Sequence, residues 1–457
     1  MKKLHVFGAL LVALLMGLTA CQPNQTKKEV KEYPMFWTWM HYNPKSNFDS
    51  ICHEIKDMGL DGIILQANTP DLYREAIPVA KKYGLHVYAW VWTLNSGSIA
   101  KEHPEWTSVN RNGKNLAEEM AYVGYYKFLC PAIPGVREAL KKQMDEFCKV
   151  DGLDGFSIDY HRLVDVVLPT TLWPTYGIVQ DHEYPQWDYG YHPAMIKKFK
   201  EQYGYDPREQ EDPSMDVKWR QFRCDQVAEV ANELAEVVHS HGKIMAASPF
   251  PTPKMASRMV RQDWSKWKLD VVFPMIYHSF YTEDPSFVGD CTLENARDKN
   301  ENTTLFTGLM LNEGGKDICD CMDEAFNNGA QGIAIFTWDG MKKEYRSQFK
   351  AYADSMRAVR AQNGGMIKAT YPKVAEMDPF KHEGVMKRIE LRMQKLIAKE
   401  KGTEELAPLS LGEYKKVKEY DVTKVYEVVD ANSKATFEVD FYFYGDVLSG
   451  WNLYLKK

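Results

Sequence analysis

Eight short apolar runs, separated by amphipathic stretches, constrain this chain more than any other feature. They fall between Tyr33 and Gly364: MFWTWMH from Met35, GIILQAN from Gly62, HVYAWVWTLN from His86 and GFSIDYH from Gly155. IMAASPF from Ile244, VVFPMIYH from Val271, TLFTGLML from Thr304 and GIAIFTWDG from Gly332 complete the set. Stretches such as FDSICHEIKDM, VREALKKQMDEFCKV and RCDQVAEVANELAEVVHSH lie between them and carry helical spacing. Apolar runs of strand length that alternate with helices read as parallel strands buried on both faces. Eight such units predict the α/β class and a (β/α)8 TIM barrel. An open doubly wound sheet is the rival, but no glycine-rich phosphate loop follows the first run.

An internal echo supports the barrel. GLDGIILQ at Gly59, GLDGFSID at Gly152 and GAQGIAIF at Gly329 share a Gly-x-x-Gly entrance, and KLDVVFPM at Lys268 keeps only the aspartate. These are runs two, four, eight and six. The first glycine suits a left-handed helix cap and the second a close strand start. Alternation from there puts Gln66 and Asp159 in corresponding rows, at the C-terminal mouth where active sites of this fold sit.

The chain opens MKKLHVFGALLVALLMGLTAC, a positive start and an apolar stretch too short for an ordinary membrane span. Residues 1–20 therefore read as a signal peptide. Leu18-Thr19-Ala20-Cys21 has the form of a bacterial lipobox, with Cys21 lipidated, and 21–32 as a polar tether. The expectation is a protein of the cell envelope, held at the outer membrane through lipid on the periplasmic or surface face. An ordinary signal peptide with a chance cysteine is the alternative. Residues 33–364 form the expected barrel, 365–411 a helical connector, and 412–457 a small β-rich accessory domain. Phe437, Val439, Phe441 and Phe443 alternate with polar residues there, as in a half-buried strand.

Net charge is −6 with no basic tract, which argues against nucleic acid as a partner. Seven irregularly spaced cysteines follow Cys21, without CxxC or HExxH, so neither a disulfide framework nor a metal site is expected. No cofactor is expected, and the oligomeric state is left open. With 12 Trp and 26 Tyr the chain is rich in flat aromatic faces suited to sugar rings, though large cores use them too.

The ends of the apolar runs collect chemistry. They supply Trp37, Trp39, His41, Gln66, Asn68, Trp90, Trp92 and Asn95, then Asp159, Tyr160, His161 and Arg162, then Tyr277, His278, Asn312, Glu313, Trp338 and Asp339. Aromatic platforms, amides and carboxylates on one face are what glycan recognition and glycosidic cleavage require, and cleavage commonly uses two carboxyl groups. Asp159, Glu313 and Asp339 are the catalytic candidates; the substrate-binding candidates are Trp37, His41, Gln66, Asn68, Trp92, Asn95, Tyr160, His161, Arg162, Tyr277, His278 and Trp338. Bland roles compete: Asp159 as an orienting residue paired with Arg162, Glu313 as a helix cap, and Asp339 as a turn residue before Gly340. The aromatic stretch 164–193 is either a substrate wall or packing.

HPEWTSVNRNGK, FLCPAIPGVREAL, DGFSIDYHRL, AASPFP and DVVFPMIYH, in this order, resemble the successive signatures of the glycosyl hydrolase-like 10 family. The resemblance spans roughly residues 33–362 and implies a barrel, export or lipidation, and in some members cleavage of peptidoglycan strands. Asp159, Tyr160 and Arg162 match the family's Asp-Tyr-x-Arg form. Leu163 and Val164 replace the tyrosine-proline usual there. The sequence thus points to an exported glycoside hydrolase acting on a poly- or oligosaccharide. Asp159 would be nucleophile or base, Glu313 or Asp339 the acid, and Tyr160 and Arg162 the groups holding the ionised carboxylate and the substrate. A non-catalytic glycan-binding lipoprotein on the same scaffold is the alternative.

Overall fold

The computed structural model describes residues 31–370 and 377–456. The expected signal peptide and Cys21 lie outside the described residues. Pro34 onward forms one compact unit.

Nine parallel strands run in the order β7-β6-β5-β4-β3-β2-β1-β9-β8. They are β1 (Phe36–His41), β2 (Gly62–Gln66), β3 (His86–Trp92), β4 (Gly155–Asp159), β5 (Ile244–Ala247), β6 (Val271–Val272), β7 (Thr304–Leu305), β8 (Thr307–Met310) and β9 (Ile333–Phe336). The seventh apolar run supplies both β7 and β8, parted only at Phe306. Its first half pairs with β6 and its second with β9, so the ends of the order meet and the sheet curls into a barrel. The predicted (β/α)8 class is what the chain adopts.

The Gly-x-x-Gly entrances have a steric cause. Gly152 has φ +74 and Gly59 φ +86, the left-handed region that ends a helix turn without cost only for glycine. A Cβ on Gly155 would come within 2.6 Å of the Ile244 carbonyl, and one on Gly62 within 2.4 Å of the Trp37 ring. The aspartate of the motif staples the neighbouring strand. Asp61 accepts from the Phe36 N–H (3.1 Å), Asp154 from Val87 (2.7 Å) and Asp270 from Met245 (2.9 Å). β2, β4 and β6 thus each fix the start of the odd strand before them.

Helices follow each strand position: α1 (Phe48–Asp57), α2 (Pro70–Lys82), α3 (Pro134–Cys148), α4 (Val217–Ser240), α5 (Pro253–Val260), α6 (Ser286–Asp298), α7 (Ile318–Asn327) and α8 (Lys343–Gln362). Side-chain caps start several, with Asp216 accepting from Lys218 and Trp219 and Thr252 from Met255. α4 buries Val227, Val230, Ala231 and Leu234 against the barrel. Each fully buried valine or leucine there contributes about 1.5–3 kcal/mol. Among the described residues no helix is long and apolar enough to cross a membrane.

After α9 (Glu383–Glu400) come β10 (Lys415–Glu419), β11 (Thr423–Val429), β12 (Thr436–Tyr444) and β13 (Val447–Lys456), an antiparallel sheet in sequence order. Phe437, Val439, Phe441 and Phe443 pack against Val385, Ile389 and Met393 of α9. Tyr442 and Tyr444 join the core of the barrel instead. Ion pairs Arg258–Asp421 (2.6 Å) and Lys254–Asp446 (3.2 Å) seam the junction.

Candidate functional site

A cavity of about 360 Å³ opens at the C-terminal mouth of the barrel. β1 contributes Trp39 and His41, β3 Trp90 and Trp92, β4 Asp159, β8 Met310 and β9 Phe336. Alternation explains the pairs, because residues two apart on a strand face the same side. Segments beyond the strands add Tyr125, Tyr126, Tyr160, Arg162 and Asp165, then Phe250, Tyr277 and Tyr281. Leu168, Leu172 and Tyr176, from the stretch after β4, close one side, so that stretch is wall as well as packing.

Asp159 is only 5% exposed and sits opposite Trp92 in the β3–β4 ladder. Trp90 Nε1 donates to its Oδ2 at 2.9 Å and the Tyr160 backbone N–H to its Oδ1 at 2.6 Å. Tyr160 adopts φ +48, which turns the chain as the strand ends. For a tyrosine that conformation costs about 1–2 kcal/mol, borne here at the cavity wall. Burial raises the Asp159 carboxyl to about 6, against the weaker opposing effects of the Tyr160 and Trp90 hydrogen bonds and the Arg162 charge.

Arg162 does not pair with Asp159. Its Nη1 donates to Asp165 Oδ2 at 3.0 Å and to the Leu163 carbonyl at 2.9 Å. The guanidinium lies 5.0–5.6 Å from the rings of Tyr126, Phe128, Tyr160 and Phe250, a cage of cation–π contacts. Burial opposes its charge, but Asp165, Tyr126 and Tyr160 outweigh that and hold it protonated. Asp165, with its side chain 2% exposed, also accepts from the Tyr126 hydroxyl at 2.6 Å. The expectation that Arg162 keeps Asp159 ionised is corrected: Asp165 takes the guanidinium, and Asp159 is left to its burial.

Aromatic faces crowd the rim. Trp92 packs on Tyr160 with ring centroids 4.2 Å apart and on Tyr125 at 5.8 Å, and Tyr125 is half exposed. Burial, and then the Asp159 charge, push the Tyr277 hydroxyl well above its ordinary value, so it remains a donor.

Of the residues singled out from sequence, Trp39, His41, Trp90, Trp92, Asp159, Tyr160, Arg162 and Tyr277 line the cavity. The others stand elsewhere. Trp37 fills the barrel interior 4.3 Å from the Tyr88 ring, and Gln66 is half-buried at the end of β2. Asn68 is exposed, and Asn95 accepts from the Lys127 N–H at 2.7 Å. His161 is buried behind the strand: Thr93 Oγ1 lies 2.8 Å from Nδ1 and the Val227 carbonyl 2.9 Å from Nε2. Burial lowers it to about 4, so it is neutral and has no free nitrogen for a ligand. Trp338 is buried with its backbone N–H on Thr38 Oγ1 at 3.0 Å.

Neither proposed partner carboxylate reaches the cavity. Glu313 is 64% exposed in a short 3-10 turn and pairs with Lys316 at 3.4 Å. Asp339 is exposed in the turn after β9 and accepts from the Thr337 hydroxyl. Asp165 is the carboxyl that does line it, and its sequence signal is an acidic residue inside the apolar LVDVVLP, three positions after an arginine.

His278, Asp317 and Cys321 place one ligand atom each within 4.8 Å. Asp317 Oδ2 lies 2.9 Å from His278 Nε2 and Cys321 Sγ 3.7 Å from Nδ1. The two partners occupy opposite ring nitrogens, so this is a chain of hydrogen bonds in which one ion cannot take all three atoms as they stand.

No protein-family model matches this chain, and no curated protein does. Solved structures do. A β-galactosidase from Marinomonas ef1 aligns at 12% identity and TM-score 0.47 over 72% of this chain and 60% of its own. A β-galactosidase from Rahnella sp. R3 aligns at 10% and 0.49 over 74% and 57%. An α-L-fucosidase from Paenibacillus thiaminolyticus aligns at 12% and 0.47 over 72% and 50%. The chain thus spans about half to three-fifths of these proteins, and no role is carried from them to its residues.

Proposed function

We propose that this chain hydrolyses glycosidic bonds at the barrel mouth, with Asp159 as general acid and Asp165 as the second carboxyl. The observation that carries this is the state of Asp159. It is a nearly buried carboxyl, raised to about 6, whose two protein hydrogen bonds leave room for a proton aimed at a ligand. Glycoside hydrolysis needs one carboxyl that protonates the leaving oxygen and one carboxylate that activates water or attacks. Burial supports the first role for Asp159, and the Arg162 guanidinium beside Asp165 supports the second. The volume falls within the range of small-ligand sites, about 300–1,000 Å³. Trp92, Tyr125 and Tyr160 offer faces for sugar rings.

The leader 1–20, Cys21 and the resemblance to the glycosyl hydrolase-like 10 family support a lipid-anchored, envelope setting. Peptidoglycan strands or another complex glycan would be the substrate. A second reading, glycan binding without turnover, is favoured by one observation: Asp165 is engaged by both Arg162 and Tyr126 and scarcely exposed.

Release of reducing ends from glycan strands and a polysaccharide panel separates the two. Hydrolysis predicts release by the wild type and a loss of about 10²–10⁴-fold in Asp159→Asn with binding retained. Saturable binding by the wild type without release would support the second reading.

A further inference from the structure

The junction between the barrel and the C-terminal sheet holds a second cleft, of about 710 Å³, away from the mouth. α4 supplies Arg220, α5 supplies Arg258, and the turn from Glu419 to Lys424 closes the other side. The charges on its walls do not balance by pairs. Every carboxylate there has a cationic partner: Asp263 has Lys266 (3.5 Å), Asp298 has Arg297 (2.6 Å), Glu419 has Lys416 (2.5 Å) and Asp421 has Arg258 (2.6 Å).

Two of the cations have no carboxylate within ion-pair distance among the described residues. Arg220 is half-buried, and its guanidinium meets no carboxylate, carbonyl or hydroxyl there. Burial, followed by the charges of Arg258 and Arg261, lowers its pKa against the weaker pull of Glu183 and Asp421, which it does not contact. Lys424 reaches only the Met377 carbonyl at 3.5 Å and lies 4.7 Å over the Phe443 ring. Arg258 Nε is buried without a hydrogen bond, with Glu183 Oε1 3.8 Å away. An arginine fork with no partner is matched by a planar or tetrahedral oxyanion.

The same wall carries a ring. Tyr420 is 61% exposed, and it borders this cleft and a neighbouring one of about 640 Å³. In the neighbour the carboxylates, Asp181, Glu438 and Asp440 among them, outnumber the cations Arg111, Arg258 and Lys418, and Asp440 Oδ1 is buried without a donor. An anion is therefore drawn to the Arg220 side of Tyr420 and repelled from the other.

We infer that the cleft between α4, α5 and the C-terminal sheet is an accessory binding site for an acidic saccharide. Its carboxylate or sulfate ester pairs with Arg220, and a sugar ring lies on Tyr420. The site is separate from the mouth, so it stands whether or not Asp159 hydrolyses anything.

Calorimetric titration at constant ionic strength tests it, with a galacturonate pentamer as probe, cellopentaose as the neutral counterpart and inorganic sulfate as the free anion. Asp159→Asn serves as background so that no probe is turned over. The expected result is saturable pentamer binding, weakened about tenfold or more in Arg220→Gln and in Tyr420→Ala and weakened less in Arg220→Lys, which keeps the charge without the fork. Cellopentaose binding, if present, should not change in Arg220→Gln. Arg220 and Tyr420 support no buried network, so these variants should keep the parent melting temperature. Absent pentamer binding, or equal affinity in Arg220→Gln, overturns the inference. Inorganic sulfate binding as tightly as the pentamer overturns the saccharide part.

Discussion

At the scale of single residues, Asp159 and His161 stand two positions apart with opposite titration behaviour. Folding raises the Asp159 carboxyl to about 6, so between pH 4 and 6 the folded chain holds a proton that the unfolded chain has lost. Asp159 therefore favours folding at low pH, and that contribution disappears as pH rises toward 6, a difference of about 3 kcal/mol. His161 is held neutral down to about 4, so its contribution is present at neutral pH and is lost as pH falls from the ordinary imidazole value. The two effects oppose each other over nearly the same window. Asp159→Asn should thus stabilise the chain at pH 7 by about 1–3 kcal/mol and steepen its loss of stability on acidification. Urea unfolding at pH 7 and pH 4 measures both; a variant less stable than wild type at pH 7 would contradict the burial argument. Asp159 itself was legible as the polar end of a buried strand. Its protonation state was not, because Arg162 looked like its partner until Asp165 was seen to hold that guanidinium.

At the scale of elements, the stretch after β4 is pinned by a charge cluster that no local pattern announces. Asp188 accepts from Arg223 (2.5 Å), Arg111 (2.9 Å) and Arg261 (3.2 Å), and the three arginines hold its carboxyl far below the usual range. These partners lie 35, 77 and 73 residues away, so only the fold brings them together. Asp188→Ala leaves the buried Arg223 guanidinium without a carboxylate, while Arg261 keeps Glu183 and Arg111 keeps Asp212, and should destabilise by about 3–5 kcal/mol. Thermal unfolding reads this; a melting temperature within a degree or so of wild type would show that the cluster does not hold the wall. The strand starts were legible, since the Gly-x-x-Gly signal rests on left-handed φ at Gly152 and steric contact at Gly155. The strand ends were less so. The eighth apolar run was expected to deliver Trp338 and Asp339, but the chain turns after β9 and Phe336 is the residue of that strand end that lines the cavity.

At the scale of the whole molecule, the C-terminal sheet has two buried faces. One meets α9 through Phe437, Val439 and Phe441, and the other gives Tyr442 and Tyr444 to the barrel core. The alternation in the sequence predicted a half-buried strand and gave no sign of the second contact. A sheet bound into the barrel core should melt with it, so calorimetry of the chain should show one cooperative transition. Two separated transitions would mean that the sheet is an independent module. The eight-unit barrel was legible because each apolar run had to be buried on both faces; the clefts at the junction were not, because their walls come from segments some 160–200 residues apart, as Arg258–Asp421 and Lys254–Asp446 show.

The central claim is that Asp159 acts as a buried, protonated acid at the mouth. The most direct test is the pH profile of kcat/KM for glycan-strand hydrolysis, from about pH 4 to pH 8, in wild type and Asp159→Asn. The account predicts a wild-type rate that falls above about pH 6, as Asp159 ionises, and a variant that has lost most turnover while still binding. A wild-type profile level through pH 6, or an Asp159→Asn variant that turns over as fast, would contradict it.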